Sequence, residues 1–159
     1  MKVEKKIEQF KAWTKGFLSL GFLLYAVMLI YTTLFIYNYY PYGKSVNLVL
    51  FDSIRLMWRS GNYWLIFKNV IGNVLLFMPL GLLLPIILKK VRSLWKIIIL
   101  GFGTSLLIEI LQYEYAHRIF DIDDILLNGF GAIVGYILFG ISYGIIRVIK
   151  NIIVKRKRK

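Results

Sequence analysis

The chain has 159 residues, 58% of them hydrophobic and 16% aromatic, and a formal net charge of +13. Its mean hydropathy of +0.66 excludes an ordinary soluble domain and points to the membrane class. The charge does not indicate a nucleic-acid binder: the basic residues fall in blocks between apolar runs, and neither a soluble basic face nor an RNA-binding aromatic motif is present.

Residues 1–15 read as a basic cytoplasmic tail. The first apolar run, 16–37, has the basic prefix of a signal peptide. Its core is too long for one, and no small-residue cleavage site follows, so it reads as a retained signal-anchor. Further runs at 65–88, 94–113 and 125–146 also reach the length of about 20 residues that crosses a bilayer. The expected fold is therefore all-α, a polytopic integral membrane protein with four transmembrane helices over residues 16–146. A second basic tail follows at 147–159.

Orientation comes from Lys and Arg. The N-terminal tail has five, the segment between the second and third spans four, and the C-terminal tail seven; only five of the 21 remain for the opposite side. The positive-inside rule places both termini in the cytoplasm. Trp13 and Trp95 then mark the inner interface, and Trp58, Trp64 and the aromatic run at 37–42 the outer one. In the outer loop, 38–64, Ile54, Met57 and Trp58 share one side of a short amphipathic helix with Arg55 and Arg59 on another. Asp52 or Ser53 is placed to cap it.

Polar residues within the spans gather at one depth. Asn69 and Asn73 lie four apart in the second span, hence on one face. In the third, Gly101, Ser105, Glu109 and Gln112 form a stripe ending at the outer boundary. In the fourth, Asp121, Asp124, Asn128, Gly131 and Gly135 form a stripe that begins there. The small-xxx-small pairs Gly101/Ser105 and Gly131/Gly135 suit close approach of the third and fourth spans, and Pro79 favours a kink in the second. Local roles compete with function at each position. Asp121 suits a cap on the fourth helix, with Asp123 and Asp124 favoured by its dipole. The asparagines suit interhelical hydrogen bonds of about 1 kcal/mol each. Glu109 lies a turn inside its span and needs a cation, a proton or an amide; Arg118 is the nearest basic residue. With one histidine and no cysteine, a His-based zinc site or catalytic triad is not expected. Oxygen ligands on Glu109, Asp121 and Asp124 would suit only a hard cation. No metal or cofactor is assigned.

These residues resemble the VanZ-like membrane protein family. Three segments carry the likeness: Asn69-Val-Ile-Gly-Asn73-Val-Leu-Leu-Phe77-Met-Pro79-Leu-Gly81; Ser105-Leu-Leu-Ile-Glu109-Ile-Leu-Gln112; and Arg118 through Asp121, Asp124, Asn128, Gly131 and Gly135. A weaker match is Asn47-Leu-Val-Leu-Phe51, with Leu50 where the family often has proline. The resemblance implies a multi-pass protein of the bacterial cytoplasmic membrane, associated with reduced susceptibility to the lipid-tailed glycopeptide teicoplanin. Combined with the polar stripes, it gives a candidate ligand site of Asn69, Asn73, Glu109, Gln112, Arg118, Asp121, Asp124 and Asn128. The expected partners are membrane lipids, a lipid-linked envelope precursor or a lipoglycopeptide, and no nucleic acid. A second reading is a membrane enzyme that modifies a lipid-linked component through Glu109, Asp121 and Asp124. A third, a small transporter, lacks polar groups through the full depth of the bilayer.

Overall fold

A computed structural model describes residues 2–35 and 44–156. Helix α1 (Lys2–Leu34) is followed by a two-residue strand β1 (Val46–Asn47) and a short helix α2 (Asp52–Arg59). Helix α3 (Tyr63–Ile66) passes through a π-helical turn, Phe67–Ile71, into α4 (Gly72–Ile87). A 3-10 turn, Lys89–Val91, leads to α5 (Leu94–Tyr115), strand β2 (Phe120–Asp121) and α6 (Ile122–Arg156). Among the described residues, four stretches are long and apolar enough to cross a bilayer: Glu8–Leu34, Tyr63–Ile87, Leu94–Tyr115 and Ile122–Ile153. The four-helix membrane fold is the one expected.

The helices reach beyond the expected apolar runs at several ends. Helices α1 and α6 continue into the charged segments read as tails, because Lys, Arg, Glu and Gln are good helix formers and neither segment holds a Gly or Pro to stop the helix. The aromatic run at 37–42 lies outside the described residues.

Helices α4 and α6 form the principal pair. Their approach is set by glycine. A Cβ on Gly131 would overlap the Val74 carbonyl, one on Gly135 the Met78 carbonyl, and one on Gly81 the Ala132 carbonyl. The Gly131/Gly135 pair thus serves the second and fourth spans, not the third and fourth as its spacing next to the Gly101 stripe suggested. Gly101 does face α6, where its Cβ would lie 2.7 Å from that of Ala132. In lipid there is no hydrophobic drive between helices, so such backbone contact, with its dense dispersion, is what holds the pair. Phe77, Leu80, Ile97, Ile108 and Ala132 are buried between the spans, with Leu29 of α1 against them. Much of the rest of α1 presents exposed Leu, Val, Met and aromatic side chains, as a lipid-facing helix does.

Pro79 and Pro85 are accommodated within α4, which runs unbroken to Ile87. The irregular turn lies upstream, at Phe67–Ile71, where the extra residue per turn shifts Lys68 and Asn69 relative to the α4 face below. At the opposite end of the bundle, Arg92 donates to the Pro85 carbonyl at 3.0 Å and stacks over Phe139 and Tyr143, while Tyr136 donates to the Arg92 carbonyl at 2.7 Å. These contacts fasten the α4–α5 turn to α6.

Replacing Gly131 or Gly135 by Leu is expected to lower stability in detergent by about 1–3 kcal/mol or more, through overpacking of the α4–α6 contact. The same substitution at Gly140, which has open space around it, should leave the thermal midpoint nearly unchanged.

Candidate functional site

The site is assembled by the turn that leaves α5. His117 adopts φ 51°, a left-handed conformation, and lets the Arg118 amide donate back to the Gln112 carbonyl at 3.2 Å. The chain folds over the end of α5, so that the Asp121 amide meets the Glu109 carboxylate, Oε2 accepting at 3.1 Å. Glu109 is 2% exposed. Its fixed partner is therefore a backbone N–H rather than Arg118.

Asp121 itself caps α6: Oδ1 accepts from the Asp123 amide at 2.9 Å, the geometry of an N-cap. It also accepts from the Asn47 side chain at 3.2 Å, and its other oxygen accepts from the Ser53 hydroxyl. Asn47 and Asp121 are neighbours because β1 and β2 pair in parallel, Val46 with Phe120 and Asn47 with Asp121. Asp121 thus provides the expected cap and also ties β1 and α2 to the start of α6.

Asp123, 1% exposed, does something the sequence did not disclose. Its carboxylate accepts from the amides of Phe51 (2.6 Å), Ser53 (3.1 Å) and Ile54 (3.4 Å). It therefore caps α2 from some 70 residues away. Phe51 stands at the N-cap with φ 62°, a strained conformation for an aromatic residue, and three N–H groups here, those of Phe51, Ser53 and Ile54, meet a single anion. The expectation that Asp52 or Ser53 caps α2 is corrected accordingly. Asp52 pairs with Arg55 at 2.9 Å, and the Ser53 hydroxyl is committed to Asp121.

Deeper in the bundle, Asn73 donates to Asp124 at 2.6 Å, joining α4 to α6. Asn128 donates to Ser105 at 2.9 Å, joining α6 to α5, and Gln112 donates to the Thr33 carbonyl at 2.8 Å, joining α5 to α1. Asn69 turns to its own helix, donating to the Leu65 carbonyl. The Asn128 Oδ1 is buried with no partner among the described residues.

Two adjoining cavities open among these groups. One, of about 430 Å³, lies between β1, α2, the top of α3 and β2. The other, of about 290 Å³, lies among α1, α4, α5 and α6. Asn69, Arg118 and Asp124 line both; Asp121 lines the first, and Asn73, Glu109, Gln112 and Asn128 line the second. All eight residues singled out from the sequence thus border one or both of these cavities. Lys68, Thr33, Asn47 and Ser53 also border them and were not among the eight. The signals for Asn47 and Ser53 were present, in the weak motif and in the capping position. Lys68 and Thr33 carried none. Arg55 and Arg59 border neither cavity.

The acidic side chains face different partners, and among the described residues no group of three or more His, Cys, Asp or Glu is arranged to hold a metal ion. The arrangement offers hydrogen-bond acceptors and two cations, Lys68 and Arg118, around the cavity of about 290 Å³.

Comparison with known proteins follows the same residues. The family model VanZ/LLP1 matches residues 22–143. The protein VanZ of Enterococcus faecium is 35% identical over 134 residues, a match covering 79% of this chain and 75% of that one. No solved structure matches.

Replacing Asp123 by Ala is expected to release α2. Hydrogen exchange of the 51–54 amides should accelerate by the equivalent of about 1–3 kcal/mol, while α4 keeps its protection. Asn at 123 retains one acceptor oxygen and should fall between the two.

Proposed function

The chain belongs to the VanZ/LLP1 family, and on that premise we propose that it is a cell-envelope factor whose polar cleft faces the extracytoplasmic side of the cytoplasmic membrane. The cleft binds the polar part of a lipid-linked envelope precursor or an amphiphilic glycopeptide, and binding lowers susceptibility to teicoplanin-type antibiotics. The observation that carries this reading is the convergence of four spans' polar side chains on two adjoining cavities at a single end of the bundle.

Three features support it. Sixteen of the 21 basic residues lie in the tails, the α4–α5 turn and the first turn of α5, away from the cleft, which favours a cytoplasmic position for that opposite end. Beside the cleft, Leu48, Val49, Leu50, Leu56 and Trp58 are exposed on the β1–α2 segment, a surface suited to rest in lipid. An amphiphile can therefore reach the cavities sideways from the leaflet. The carboxylates also bear on mechanism: Asp121 and Asp123 hold backbone and side-chain donors with both oxygens, which suits a binding scaffold better than acid–base chemistry.

In a host strain that responds to the wild-type chain, Asp124→Asn and Arg118→Gln should each raise teicoplanin susceptibility. Loss of one contact of about 1 kcal/mol corresponds to roughly fivefold weaker binding. Unchanged susceptibility with verified membrane expression would contradict the proposal.

A further inference from the structure

We propose that the deeper cavity contains a subsite for a primary ammonium group, and that its ligand is the zwitterionic headgroup of an aminophospholipid, an amine beside a phosphate diester. The inference rests on the reading that the cleft takes a lipid headgroup, and it names that headgroup's chemistry.

The cavity is lined by acceptors with nothing to accept. Glu109 uses Oε2 on the Asp121 amide, and its Oε1 has no donor among the described residues. Asp124 uses Oδ1 on Asn73, and its Oδ2 is likewise free. Asn128 is 4% exposed, uses its amide nitrogen on Ser105, and buries Oδ1 without a partner. An acceptor left unpaired away from water costs about 1–3 kcal/mol; among the described residues Asn128 Oδ1 is such an atom, and the free carboxylate oxygens of Glu109 and Asp124 belong to side chains lining the same cavity, so a donor there would meet all three. A primary ammonium supplies three N–H donors, no acceptor, and a charge opposite to the two carboxylates. A metal ion fits less well, since no group of three His, Cys, Asp or Glu converges among the described residues.

The same cavity also carries Lys68 and Arg118. Their positive charge within an otherwise acidic lining suits a phosphate joined to the amine by a short linker. The volume of about 290 Å³ is roughly ten waters' share of liquid, enough for such a headgroup. Leu56, Met57 and Leu65 line the adjoining cavity and offer the acyl chains an apolar way out to the leaflet.

The test uses the purified full chain in detergent, with retention of short-chain lipids read by native mass spectrometry. Phosphatidylethanolamine should be retained at least about tenfold more strongly than phosphatidylcholine, whose ammonium has no N–H, or phosphatidylglycerol, which has no ammonium. Glu109→Gln should erase that preference, so that phosphatidylethanolamine and phosphatidylglycerol are retained equally by the same variant. A preference that survives Glu109→Gln would overturn the subsite, because a Glu109 that merely lends a proton to Asn128 is replaced by a Gln N–H. Equal retention of all three lipids, sensitive to Arg118→Gln, would also overturn it while leaving the headgroup cleft standing. Retention of no lipid would overturn both. Binding of soluble phosphoethanolamine without any lipid would overturn the membrane as the source of the amine.

Discussion

A carboxylate removed from water must find donors, and this requirement organises one whole end of the molecule. Glu109, Asp121, Asp123 and Asp124 each accept from a group on another element or from the start of their own helix. The backbone around them is arranged to supply those donors. The left-handed turn at His117 returns the chain over Glu109, and the left-handed Phe51 turns the α2 amides towards Asp123. The parallel pairing of β1 with β2 puts Asn47 beside Asp121. Removing an acid would therefore cost more than its charge, since the loop between α1 and α3 is tied to α6 largely through these oxygens.

The second constraint is close packing. Gly81, Gly131 and Gly135 let α4 and α6 meet backbone to backbone, which fixes the relative depth of Asn73 and Asp124. Gly101 against Ala132 does the same for α5 and α6, and hence for Ser105 and Asn128. Along α6 the amide contacts, at Asp124 and Asn128, come first and the close backbone contacts, at Gly131, Ala132 and Gly135, follow. Small residues bring the helices together, and the amides then find partners at the resulting distance.

The spans were legible because lipid leaves so few choices: a run of about 20 mostly apolar residues with few charges can do little except cross as a helix. The polar stripes were legible for the same reason, since helical spacing alone puts Asn69 through Asn128 on facing sides. What escaped was non-local. Asp123 looked like a dipole-favoured acid in a first turn, and nothing near it in sequence shows that its acceptors serve Phe51 and Ser53 across the fold. The pairing of β1 with β2 spans two residues each, too short for any periodicity. Gly131 and Gly135 were recognisable as a packing stripe, but a small-xxx-small pattern does not say which neighbour it meets. Helix ends were blurred at 2–15 and 147–156, because charged residues that leave the bilayer can remain helical.

The functional account depends on which way the cleft opens. A polar region reached from the extracytoplasmic leaflet meets lipid-linked precursors and lipid-tailed antibiotics; one opening to the cytoplasm meets neither in the proposed way. The chain has no cysteine, so single cysteines report side directly. Ser45 borders the larger cavity, and Lys89 lies on the exposed turn at the far end of the bundle. In intact cells, a membrane-impermeant maleimide should label Ser45→Cys at once and Lys89→Cys only after permeabilisation. Labelling of Lys89→Cys in intact cells with Ser45→Cys protected would contradict the account.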